Sequence, residues 1–155
     1  MSPADAVALL AALRERGATL ACAESLTGGL LCAALVAVPG ASDVVRGAVV
    51  AYAADLKSTL LGVDEQVLAR HGTVSEDAAR AMASCAAERL GATYGLATTG
   101  VAGPGPSEGK PAGTVHVAVS GPGVAAHAGL RLGGDRQAVR EQAVTAVLAL
   151  LAAQL

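Results

Sequence analysis

The chain has no tryptophan or phenylalanine, and Tyr52 and Tyr94 are its only aromatic side chains. That excludes a platform for stacking unpaired bases. Positive charge is also short: the net charge is −2, so no basic field is offered to a phosphate backbone. Nucleic acid is therefore not an expected partner. The three cysteines, Cys22, Cys32 and Cys85, lack the spacing of a disulfide framework or a zinc site. They read as buried, reduced thiols of a cytoplasmic protein, with no metal and no cofactor expected. The start, MSPADAVALL, has no basic segment and carries Asp5, unlike a signal peptide. Charge is absent from Ser25 to Ser42, but three glycines and a proline interrupt that stretch, which favours a buried helix over a membrane span. The C-terminal apolar run is broken by Gln154 and is too short to cross a bilayer. No membrane partner is expected.

What is present is apolar mass. A hydrophobic content of 53% against 15% charge excludes a disordered or solvating segment. At 155 residues the chain suits one domain, 1–155, able to bury roughly 70% of the surface its unfolded form exposes. Ser2 and Pro3 open a helix that Gly17 ends. ATLACA reads as a buried strand, and Gly28 to Val38 as a helix stopped by Pro39-Gly40. Gly47 to Ala53 is a strand, followed by short helices around Lys57–Leu61 and up to His71. Glu76 to Leu90 is a helix capped by Thr73 or Ser75. TYGLATTG is a strand; TVHVAVS and VAAHAGLRL form a hairpin across Gly121-Pro122-Gly123. A last helix starts near Asp135. The alternation, with a hairpin at the back, indicates an α/β sandwich with a mixed sheet.

Four stretches hold chemistry-bearing residues. In Glu24-Ser25-Leu26-Thr27-Gly28-Gly29, a strand ends in a hydroxyl and turns through two glycines into a helix. The hydroxyl would lie beside unpaired helix-start amides able to hold an oxyanion. The bland alternative, which the hexapeptide alone favours, is that Ser25 or Thr27 simply caps the helix. A nucleophilic serine needs a base. His71, His116 and His127 build neither a metal cluster nor a Ser-His-Asp order. Of the two lysines, Lys57 follows an apolar strand, where burial would depress its pKa; a solvated helix lysine is the bland alternative. The loop TTGVAGPGPSEGKPAG offers hydroxyls and glycine amides to a phosphate, yet fits neither a P-loop nor a dinucleotide fingerprint. Finally, GGDRQAVR sets Arg136 and Arg140 on one helix face, to grip an anion or to pair with surface acids.

Taken in order, AESLTGG, GAVVAYAADLKSTLLGV, HGTVSEDAARAMA, TTGVAGPGPSEGKPAGTVHVAV and GGDRQAVREQA resemble the C-terminal domain family of the competence/damage-inducible protein CinA. The stand-alone form of that family is known as nicotinamide-nucleotide amidase, or NMN deamidase. The resemblance spans about Ala18 to Ala146. It implies a three-layer α/β/α sandwich with a mixed sheet, and hydrolysis of nicotinamide mononucleotide to nicotinic acid mononucleotide and ammonia, serving pyridine nucleotide salvage. The family's Ser–Lys pair falls on Ser25 and Lys57, which displaces the capping reading of Ser25. Tyr52, from the same motif, is expected to support the lysine or the substrate. Substrate binding is expected from Glu24, Thr27, Gly28 and Gly29, from Thr99, Gly100, Ala102 and Gly103, and from Arg136. Glu24 is equally readable as an anchor of its turn. The loop after Pro104 is shorter than the acidic-glycine versions of the family.

Two other readings remain at this point. One is a non-catalytic nucleotide-binding or regulatory module, which has no need of both Ser25 and Lys57. The other is an amidohydrolase for a different small amide. An Ala/Leu-rich terminal helix would pack against a copy of itself, so a homo-oligomer is expected.

Overall fold

The structure, a computed structural model, describes residues 3–155, so the expected cap at Ser2 lies outside the described residues. Along the chain run α1 (Pro3–Glu15), β1 (Leu20–Glu24), α2 (Leu30–Val36), a short 3-10 turn (Ala41–Asp43), and β2 (Val45–Val50). Then come α3 (Leu56–Thr59), α4 (Glu65–His71), α5 (Glu76–Leu90), β3 (Tyr94–Gly100), β4 (Thr114–Gly121), β5 (Val124–Arg131) and α6 (Arg136–Ala152). The sheet order is β2-β1-β3-β4-β5. Strand β1 pairs parallel with β2 and β3, while β3–β4 and β4–β5 are antiparallel. The expected mixed sheet between helical layers is observed.

Period-two alternation splits the core in two. Leu20, Cys22, Leu96, Val115, Val117 and Val119 face the layer of α1, α2 and α6. Their alternates Ala21, Ala23, Ala97 and Ala118 face α5, which buries Ala79, Met82, Ala83 and Ala86 against them. The small face brings that helix close to the sheet. At Gly95 the approach is extreme, since a Cβ there would lie 1.9 Å from the Ala83 carbonyl oxygen. Only glycine fits under that helix turn.

Differences from the sequence reading cluster where the chain leaves the sheet. Helix α2 starts at Leu30 rather than Gly28, because Gly28 (φ 56°) and Gly29 (φ 100°) are left-handed. Strand β2 runs Val45–Val50 rather than Gly47–Ala53. Beyond Val50 the Ala51 amide bonds the Glu24 carbonyl, and the chain then turns toward α3. The hairpin turn is the two residues Pro122-Gly123, with Gly121 paired to Val124. Cys22 is buried as expected, whereas Cys32 and Cys85 are half-buried; all three are free. No helix among the described residues is long and apolar enough to cross a membrane.

The connections leaving β1 and β2 pass to opposite faces of the sheet, α2 to one and α5 to the other. The crevice outside the carboxyl ends of such strands is where open α/β sheets hold ligands. Gly95→Ala should destabilise the domain by about 3 kcal/mol, since backbone rather than a flexible side chain must shift. Gly133→Ala meets nothing within 4 Å and should stay within about 0.5 kcal/mol of wild type in urea unfolding.

Candidate active site

Ser25 is the first residue past β1, and its amide bonds the Thr98 carbonyl of β3 at 3.0 Å. The chain then closes a tight turn, with the Gly28 amide on the Ser25 carbonyl at 3.1 Å. Three groups brace this turn. Glu24, at 0% exposure, accepts the amides of Gly29 (2.9 Å), Leu31 (3.1 Å) and Cys32 (2.8 Å) at the start of α2. A carboxylate suits that position because the helix start carries unpaired donors and the positive end of the dipole. The Thr27 and Thr98 hydroxyls bond at 2.7 Å. Arg140 donates to the carbonyls of Leu26 and Thr27, both at 2.9 Å.

Lys57 arrives from α3, one turn of helix that is too short to stand without tertiary support. Its side chain is 2% exposed, in the same range as the core leucines. The amine lies 3.1 Å from Ser25 Oγ and donates to the carbonyls of Ala51 (2.8 Å) and Tyr52 (3.4 Å). None of these partners is a carboxylate. Burial pushes the Lys57 amine below its ordinary pKa; the charge of Glu108 acts in the opposite direction and is outweighed. A neutral amine has two N–H bonds and one lone pair. Two carbonyls and one hydroxyl satisfy that inventory and equally the three N–H bonds of an ammonium, so it is burial and not the set of partners that favours the neutral form.

A cavity of 470 Å³ opens over Ser25 and Lys57. Of the expected site residues, Ser25, Lys57, Tyr52, Gly100, Ala102, Gly103 and Arg136 line it. Tyr52 is 59% exposed; its hydroxyl accepts from Arg136 at 2.9 Å, while its carbonyl serves the lysine. Arg136 also donates to the Gly103 carbonyl at 2.6 Å, which ties the glycine-proline loop to the start of α6.

Five expected ligands are corrected. Glu24 anchors its turn, both oxygens being taken by backbone amides. Thr27 is fully buried against Thr98, and Thr99 is buried with its hydroxyl on the Thr73 carbonyl at 2.6 Å. The Gly28 and Gly29 amides, expected to hold an oxyanion, are spent on the Ser25 carbonyl and on Glu24. Within this turn the Leu26 and Thr27 amides have no protein acceptor; Leu26 lines the cavity, whereas Thr27 is fully buried. Arg140 does not share an anion with Arg136, because it is spent on the turn. None of the three histidines lines the cavity, and no group able to hold a metal occurs among the described residues. Sequence reasoning missed Leu26, Thr73, Val74 and Glu108 as lining residues. For Glu108 a signal existed: it is the only acid in the loop after β3.

The fold and site together define a three-layer α/β/α domain with a desolvated Ser–Lys pair at the carboxyl edge of its sheet. Residues 4–155 match the model of the CinA C-terminal domain, and the chain belongs to that family. It is 53% identical over 143 residues to a CinA-like protein of Frankia casuarinae, covering 92% of this chain and 33% of the relative. With a CinA-like protein of Gloeobacter violaceus, identity is 56% over 132 residues, covering 84% of this chain and 31% of the relative. The chain thus spans about a third of the length of these curated relatives. Among solved structures, a CinA superfamily protein from Klebsiella pneumoniae superposes with a TM-score of 0.94 at 35% identity, covering 98% of this chain and 96% of that one. The competence/damage inducible protein CihA from Agrobacterium tumefaciens gives 0.93 at 36% identity, covering 97% and 93%.

Glu24→Gln replaces a charged acceptor of three amides with an amide whose NH2 must face a donor. It should cost about 2 kcal/mol in urea unfolding. No loss of stability would mean that the turn is held without it.

Proposed function

We propose that this chain is a nicotinamide-nucleotide amidohydrolase, converting nicotinamide mononucleotide and water to nicotinic acid mononucleotide and ammonia. The observation that carries the reading is the Lys57 amine, 2% exposed and 3.1 Å from the Ser25 hydroxyl, with no carboxylate bonded to it. A binding module gains nothing from a buried amine, which costs stability.

The mechanism follows from the donors and acceptors present. The neutral Lys57 amine takes the Ser25 proton as Oγ forms a bond to the carboxamide carbon. The resulting oxyanion is held by the Leu26 amide, in the turn that Arg140 steadies by gripping the carbonyls of Leu26 and Thr27. The lysine ammonium returns its proton to the amide nitrogen, the C–N bond breaks, and ammonia leaves an acyl-serine ester. Water, deprotonated by the same amine, then attacks that ester; the acyl C–Oγ bond breaks, Ser25 Oγ takes its proton back from the lysine ammonium, and the acid product leaves as its carboxylate. Arg136, at the cavity mouth, supplies positive charge for the nucleotide's phosphate.

Ser25→Ala should lower ammonia release from nicotinamide mononucleotide at least about 10³-fold, with unfolding unchanged within about 0.5 kcal/mol. Lys57→Arg should lose activity comparably, because guanidinium stays protonated. Release unaffected by Ser25→Ala would remove the serine from the mechanism. No release from folded wild type would leave the regulatory-module reading in possession.

A further inference from the structure

The mechanism above makes no use of Glu108, yet the fold spends several bonds on placing it. Its carboxylate accepts the Thr73 amide (3.1 and 3.0 Å to its two oxygens), the Val74 amide (3.2 Å) and the Thr73 hydroxyl. Its backbone is left-handed (φ 50°), unusual for a residue with a long side chain. Such strain persists only where surrounding contacts over-determine it, and it concentrates at functional sites. These contacts do so here.

The location is specific. Among the described residues Glu108 is the one carboxylate lining the cavity, which it shares with the Lys57 amine and the Arg136 guanidinium. Burial raises its pKa, but the Thr73 hydroxyl, the Val74 and Thr73 amides and Lys110 outweigh that and hold its carboxyl below the ordinary range. It is therefore ionised at neutral pH. Lys110, 4.0 Å away, does not line the cavity, and the Glu108 side chain remains 32% exposed. Its field reaches Lys57 and hence the reacting centre. Both oxygens are already committed to Thr73 and Val74 donors, so the group acts through its charge and not by moving a proton.

We infer that Glu108 is the residue that selects a positively charged ring. It provides negative potential beside the carboxamide position, where a pyridinium would lie, while Arg136 provides the opposite sign for an anionic tail. The substrate class is a zwitterion: a cationic heteroaromatic amide joined to a phosphate. This inference rests on the amidase reading and adds to it the reason for preferring a quaternised ring over a neutral aromatic amide of the same shape.

The test compares nicotinamide mononucleotide with its neutral isostere, the 3-carbamoylphenyl C-riboside 5′-phosphate, in which benzene replaces pyridinium. Affinities are read as KM for the first and as the inhibition constant of the second against it. Glu108→Gln keeps an acceptor for the Thr73 and Val74 amides and removes the charge. It should raise KM for the cationic substrate about tenfold, and because Glu108 also raises the Lys57 pKa, the rising limb of kcat against pH should move to lower pH. The inhibition constant of the neutral compound should stay within about twofold. Glu108→Asp keeps the charge and shortens the reach; it should hold KM within about threefold of wild type. Equal changes for both compounds in Glu108→Gln, including no change for either, would overturn the inference while leaving the amidase intact. A wild type that hydrolyses no nicotinamide mononucleotide would overturn both.

Discussion

A primary amine removed from water and set against an alcohol governs the rest of this molecule. In solution Lys57 would be protonated and useless as a base; at 2% exposure the charged form loses its hydration and has no carboxylate bonded to it to replace that loss. The arrangement has a cost. The folded-state pKa lies below that of the unfolded chain, so the unfolded chain binds the extra proton. Stability therefore rises with pH across the window between the lowered and the ordinary lysine value. At neutral pH the dyad detracts from stability, and the two cores that flank the sheet have to carry it.

The surrounding architecture is understandable as support for that contact. Strands β1 and β2 lie side by side and parallel, so their carboxyl ends deliver Ser25 and the Ala51–Tyr52 carbonyls to one edge. Glu24 and Arg140 grip the turn after β1 from its amide and carbonyl sides respectively. The Leu26 amide, at the cavity lining, is left with no protein acceptor among the described residues. Rigid donors aimed where charge develops are worth more than donors that must reorganise. The Gly103–Gly113 loop is tied down at two points, by Arg136 at Gly103 and by Glu108 on the Thr73–Val74 turn.

Much of this was legible in the sequence, and the pattern of what was not has a physical reason. Elements with a period showed themselves: β1, α5, β3 and the β4–β5 hairpin fall within a residue or two of their expected bounds. Ser25 and Lys57 were candidates by residue type, each with a structural alternative, and the resemblance to the CinA C-terminal domain family is what paired them. The misplaced residues are those whose role depends on where a hydrogen bond goes. Glu24, Thr27, Gly28 and Gly29 adjoin Ser25 in sequence, yet the turn directs their polar groups inward. Glu108 is remote from Ser25 in sequence, and it meets the site only because a loop folds back onto the turn before α5. Side-chain direction across a non-repeating turn has no sequence period to reveal it.

The proposed mechanism requires a neutral Lys57 amine where it meets Ser25. The chain has only two lysines, so side-chain NMR with 13C-labelled lysine gives two signals, separable by Lys110→Arg. Titrating the Lys57 Cε shift in the wild-type protein should show deprotonation well below the ordinary lysine value of about 10.4. A transition at or above that value would contradict the account.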